Sequence, residues 1–220
     1  MFVGHAALAL AARAKAPSVS LGWLFAASFG LDLLWPILLL AGLERVSITP
    51  GATAFTPLTF DAYPWSHSLL MSIVWALLAL ALARWRRVPA SGAALVGALV
   101  VSHWALDFLT HAPDLPLWPG PGPRVGLGLW QSVPATLIVE GALYAAGIAA
   151  YVHATRPLDQ IGRFALWSLL IACAAMWASG PFSPPPPSPK LLAWATFGVY
   201  VIVLWAGWAD SHRVLRTALA

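Results

Sequence analysis

The stretch SGAALVGALVVSHWALDFLT, Ser91 to Thr110, decides what kind of protein this is. As a helix its residues rise about 30 Å, the thickness of a bilayer's hydrocarbon core. The only ionisable side chains in it are His103 and Asp107. They stand four residues apart, and His111 follows four further on, so one helix face is predicted to carry all three. Ionisable groups in an apolar span are expensive and mark function by default.

Five more apolar runs of comparable length flank it: Ser18 to Gly42, Trp65 to Ala83, Val133 to Val152, Phe164 to Gly180 and Leu191 to Trp208. With 60% of its 220 residues hydrophobic, 9% charged and a mean hydropathy of +0.78, the chain has more apolar surface than a soluble domain covers. Backbone groups in hydrocarbon must be satisfied within their own segment, which leaves helices. The expected fold is all-α: a polytopic transmembrane helix bundle of about six spanning helices. The apolar run Phe2 to Ala14 rises only about 20 Å and is expected to form a short N-terminal half-buried helix. Arg13 and Lys15 follow that run and no basic residue precedes it, which argues against a cleaved leader. Residues 1–220 read as a single integral membrane domain, with 1–111 holding the metal-site half and 112–220 the supporting helices and outer loops. Cys173 is the sole cysteine, which excludes an intrachain disulfide and a thiolate metal site.

If the six runs alternate in direction, nine basic residues fall on one side (Arg13, Lys15, Arg84, Arg86, Arg87, Arg156, Arg163, Arg213, Arg216) and three on the other (Arg45, Arg124, Lys190). The positive-inside tendency puts the larger set and the C-terminus in the cytoplasm. Topology therefore explains the net charge of +4, and no nucleic-acid partner is expected. The Gly-Pro run from Gly120 to Gly128 lacks the strand and helix of a phosphate loop, and Pro184 to Pro187 reads as an extended spacer. Trp65, Trp85, Trp130 and Trp208 sit near predicted interfaces, where indoles anchor.

Helix-length arithmetic gives the polar residues their depths. Measured from the cytoplasmic side, Asp32, His103, Asp107 and Glu140 come to about 21, 18, 24 and 20 Å, with His5 at about 14 Å. His67 lies just under the outer surface. One layer in the outer half is the expectation. Imidazoles and carboxylates without thiolate suit Zn²⁺, with Mn²⁺ or Fe²⁺ as alternatives, and Glu140 is expected as a general base or further ligand. His111 lies at the membrane edge, His153 and His212 lie near helix ends, and Ser66 and Ser68 are expected to hydrogen-bond locally rather than act as nucleophiles.

Gly4-His5, Leu31-Asp32-Leu33 followed by Pro36, Ser66-His67-Ser68 and His103-Trp104-Ala105-Leu106-Asp107 together resemble the YdjM-like family of membrane-bound metal-dependent hydrolases, also described as LexA-binding inner-membrane-associated hydrolases. The resemblance covers Met1 to His111. It implies His5, Asp32, His67, His103 and Asp107 as metal ligands, and a bacterial inner membrane as the location. The sequence departs from the family pattern where Gly30-Leu31 replaces a proline before Asp32 and where Trp65-Ser66 precedes His67. The expected function is hydrolysis of an ester or phosphoester, with a membrane lipid as substrate and Asp107 and Glu140 as the catalytic carboxylates. The alternatives are a proton-coupled transporter using the same buried groups and a non-catalytic scaffold.

Overall fold

The computed structural model describes residues 1–216, which form ten α-helices. In chain order these are α1 (Val3–Ala12), α2 (Leu21–Ser28), α3 (Gly30–Leu40), α4 (Pro64–His67), α5 (Leu69–Trp85), α6 (Ala90–Thr110), α7 (Val133–Ala154), α8 (Gln160–Ser179), α9 (Pro189–Thr196) and α10 (Gly198–Ser211). The connections are more ordered than an all-α reading anticipates. They hold three antiparallel two-stranded pairs: β1 (Arg45–Ile48) with β2 (Leu58–Ala62), β3 (Leu115–Pro116) with β4 (Arg124–Val125), and β5 (Thr155–Pro157) with β6 (Arg213–Leu215).

Four helical stretches are long and apolar enough to cross a membrane: Ala90–Thr110, Val133–Ala154, Gln160–Phe182 and Pro189–Ser211. The expected six continuous spans are corrected at two places. The Ser18–Gly42 run is broken at Phe29 into α2 and α3, which meet at a 55° bend and make a fifth span only if counted together. Gly30, a poor helix former, follows the break. In the Trp65–Ala83 run, Pro64 starts the single turn of α4, and Ser68 then turns extended to cap α5, its hydroxyl accepting from the Met71 N–H at 3.3 Å. Only the 17 residues of α5 remain, about 26 Å of helix, at the lower limit for a crossing.

Helix faces directed away from the bundle are apolar as well: Leu77 is 61% exposed, Ile138 70% and Leu204 73%. Helices that are hydrophobic all round belong either in the core of a large protein or in a membrane. With patches of this kind on several helices, a bilayer is the covering that fits.

The N-terminal helix is short, as expected, and lies deep among its neighbours. Eight of the ten residues of α1 are buried, and it packs against α2, α6 and α7. Gly147 of α7 makes that approach possible, because a Cβ there would lie 2.6 Å from the Ala7 Cα. Below α1, Arg13 is buried rather than solvated. Its Nε lies 3.0 and 3.1 Å from the Asp210 carboxylate oxygens. Asp210 also accepts from the Tyr151 hydroxyl at 2.7 Å and the Leu21 N–H at 2.9 Å. One α10 carboxylate thus ties the turn after α1 to α2 and α7. Removing one partner of a buried ion pair leaves an uncompensated charge and costs about 3–5 kcal/mol. Asp210→Ala is therefore expected to lower the thermal midpoint of the detergent-purified protein markedly, whereas Asp159→Ala, which loses an exposed pair with His212 and the N-cap of α8, lowers it less.

Candidate metal centre

Four separate helices deliver one group of donors. His5 comes from α1, Asp32 from the first turn of α3, His67 from the end of α4, and His103 and Asp107 from successive turns of α6. All but Asp32 are buried, and Asp32 keeps 24% of its side chain exposed. His103 Nε2 lies 3.1 Å from Asp107 Oδ2 and 3.8 Å from Asp32 Oδ1, while His67 Nε2 lies 3.5 Å from Asp32 Oδ1 and 3.8 Å from Asp107 Oδ2. His5 approaches the other side of Asp107, its Nε2 3.2 Å from Oδ1, and stacks on His103 with centroids 3.7 Å apart and planes within 6°. The Met1 amino group also contacts Asp107 Oδ1.

The outer hydrogen bonds orient these rings. Because the Ser28 carbonyl can only accept, the contact at 2.8 Å makes His103 Nδ1 the protonated nitrogen. That carbonyl sits at the α2–α3 break, and the Ser28 hydroxyl donates to the His5 carbonyl at 2.7 Å, so the break joins both histidines. His67 Nδ1 lies 2.6 Å from Ser66 Oγ, whose proton goes to Glu44 Oε2 at 2.7 Å. The Ser66 oxygen must then accept from His67 Nδ1–H. Glu44, only 2% exposed, also accepts from the Trp65 and Ser66 N–H groups at 2.9 and 2.8 Å.

With both Nδ1 protons directed outward, the Nε2 atoms of His67 and His103 face carboxylate oxygens. Acceptors facing acceptors at this range repel unless a cation lies among them. His103 Nε2 and both ring nitrogens of His5 are buried without a well-aligned hydrogen-bond partner among the described residues, so they stay available to an ion. Ligand atoms about 2.0–2.2 Å from one ion lie roughly 3–3.5 Å from each other, close to the spacings here. Two three-donor groups are close enough to hold a metal ion, His5 with His103 and Asp107, and Asp32 with His67 and His103, and His103 is common to both.

All five expected ligands therefore come together, while two other candidates do not join them. Glu140 is buried on α7, where its Oε2 accepts from the Phe2 N–H at 3.0 Å and anchors the entry to α1; it belongs to neither donor group. His111 leaves the α6 stripe because the helix ends at Thr110 and the chain turns extended there. It is 3% exposed, not solvated, and bonds Asp114 at 2.9 Å among Phe60, Tyr63 and Trp130. Burial and the Asp114 carboxylate hold the nearby Tyr63 hydroxyl well above its usual range, so it stays a donor to Asp114. Ser66 does bond locally, as expected of it, but as part of a relay that the sequence does not reveal. Glu44 reads as an ordinary loop acid, and its only clue is its place shortly before a Pro-initiated helical turn.

No protein-family model matches the chain, and neither a curated protein nor a solved structure resembles it.

Outer-shell partners of metal-binding histidines typically account for 10–100-fold in affinity. Ser66→Ala and Glu44→Gln are each expected to weaken Zn²⁺ binding by about that factor in a competition titration with a chromogenic chelator, with the helical circular-dichroism signal unchanged. The double variant is expected to be no weaker than the worse single one, since both act through His67.

Proposed function

We propose that this chain is an integral membrane, metal-dependent hydrolase of the YdjM-like kind that cleaves an ester or phosphoester bond. The observation that carries this reading is the convergence of His5, Asp32, His67, His103 and Asp107, with lone pairs aimed inward and two ring nitrogens' protons committed outward. His5, His67 and His103 would hold a divalent transition metal through imidazole nitrogen, and Asp32 and Asp107 through carboxylate oxygen, with Zn²⁺ the best fit to this donor chemistry. Such an ion supplies a bound water that ionises near neutral pH and a Lewis acid for the carbonyl or phosphoryl oxygen.

The residues divide the remaining work. Asp107, buried and contacted on both oxygens, is a positioning ligand. Asp32 alone opens onto a groove, and its Oδ2 forms no hydrogen bond among the described residues, so it is the carboxylate placed to accept the proton of the attacking water. His67, held by the Ser66–Glu44 relay, keeps its Nε2 free for the ion. Glu140 has its carboxylate committed to the Phe2 backbone, which favours an anchoring role over general-base catalysis. In this reading the protein lies in the bacterial inner membrane with its C-terminus cytoplasmic.

Elemental analysis of the purified protein tests the metal. About one equivalent of transition metal is expected in the wild type, and loss of it in His103→Ala, which removes the donor common to both groups. Asp32→Asn is expected to retain metal better than His103→Ala while losing hydrolysis of ester and phosphoester substrates. Wild-type protein without metal after expression in zinc-supplemented medium would remove the hydrolase reading. Flux of protons or ions through sealed vesicles without any substrate turnover would replace it with a carrier.

A further inference from the structure

Resting on the hydrolase reading, we infer that the substrate is a membrane lipid whose acyl chain lies in the groove between α8 and α10, entering the site sideways from the bilayer. Leu169, Cys173 and Met176 of α8 face Val199, Ile202 and Trp205 of α10 across a cavity of about 590 Å³, within the roughly 300–1,000 Å³ of small-molecule sites. Phe2 and Asp32 also line it.

The polarity of this groove selects its occupant. Asp32 is the only charged side chain on its walls, and the Thr196 hydroxyl already donates to the Leu192 carbonyl at 2.9 Å. Besides Asp32 the lining offers the Trp205 Nε1–H, buried without a partner among the described residues, so a bound molecule is matched by polar atoms at these two points and by hydrocarbon along the rest. The mouth imposes the same condition. Met176 and Val201, both groove residues, are 53% and 61% exposed on the apolar outer face of the bundle, so whatever enters there comes from an apolar medium. A second apolar groove, about 340 Å³ between α2, α3 and α5, shares this character but carries no metal-site residue. Continuity with Asp32 distinguishes the α8–α10 groove from an ordinary crevice filled by solvating lipid. The scissile bond of a lipid held this way sits at the junction of its apolar chain and polar head, the position of Asp32.

Gly198 offers a clean test because it lines the groove and a Cβ there meets nothing within 4 Å, so Gly198→Phe starts its side chain in open space. Leu77→Phe, on the exposed face of α5 outside the groove, is the control. Full-length protein is placed in nanodiscs of phosphatidylethanolamine and phosphatidylglycerol containing increasing fractions of phosphatidylglycerol with a photoreactive diazirine in one acyl chain. Labelled peptides are then mapped by mass spectrometry. Labelling of the α8 and α10 peptides is expected to saturate with probe fraction, while labelling of α5 rises in proportion to it. Gly198→Phe is expected to abolish the saturable part and leave α5 labelling and zinc content unchanged. It should also lower kcat/KM for a long-chain ester about tenfold relative to its acetate analogue, with Leu77→Phe doing neither. Proportional labelling of α8 and α10, or saturable labelling unaffected by Gly198→Phe, shows solvating lipid only and overturns the inference. Zinc is measured in the same samples, so a metal-free protein defeats the hydrolase reading by a separate observation, while the groove is still judged by saturation.

Discussion

A carboxylate taken out of water costs several kcal/mol unless other groups compensate it, and Asp107 is 2% exposed in a bundle built from Ala, Val and Leu. Much of the surrounding architecture follows from that one burial. His103 is carried one turn before it on the same helix, α1 is drawn into the centre of the bundle so that His5 reaches the opposite oxygen, and α4 stops after one turn so that His67 can close the group. Each of these is a local departure from the simplest apolar helix packing. Together they make an inward-facing set of ring nitrogens and carboxylate oxygens of the kind that could hold a cation.

Positioning such a set demands rigidity from parts of the chain that make no contact with it. The α2–α3 break gives up helix continuity and gains a free carbonyl, which sets the His103 tautomer. Glu44 lies outside the long helices, yet it satisfies two N–H groups at the start of α4 and receives the hydroxyl proton that obliges His67 to point Nε2 inward. At the far end of α1, the Arg13–Asp210 pair holds the helix from below while Glu140 holds its beginning. The central helix is thus fixed at both ends by buried polar contacts. Its small residues, with Gly147 opposite, then let it pack closely enough to bring His5 onto the His103 ring.

The asymmetry of exposure around the cluster bears on chemistry as much as on structure. Three imidazoles and Asp107 are enclosed, and Asp32 alone faces open space, which here is an apolar groove rather than an aqueous cleft. A site with this access excludes water from most of its surface, which strengthens its internal electrostatics.

The sequence by itself determined the helical, membrane-compatible character of the chain and singled out the residues that cluster. Apolar run length is a local property, and a His and an Asp four residues apart share a helix face whatever surrounds them. Depth arithmetic also brought Asp32 and the α6 pair to one level, because rise per residue is nearly constant. It could not assign direction around a helix axis, which is why Glu140, at the right height, turns to the Phe2 backbone instead of the donor cluster. Nor could a periodic reading foresee where a helix stops: α6 ends at Thr110 and takes His111 out of its stripe, and Phe29 and Ser68 interrupt two apolar runs. The interruptions at Phe29 and Ser68 have local triggers in Gly30, Pro64 and Ser68 that periodicity does not weigh, whereas the Glu44 end of the Ser66–His67 relay and the groove that reaches Asp32 belong to the tertiary structure alone. They arise from contacts between residues far apart in the chain, and hydropathy carries no record of such contacts.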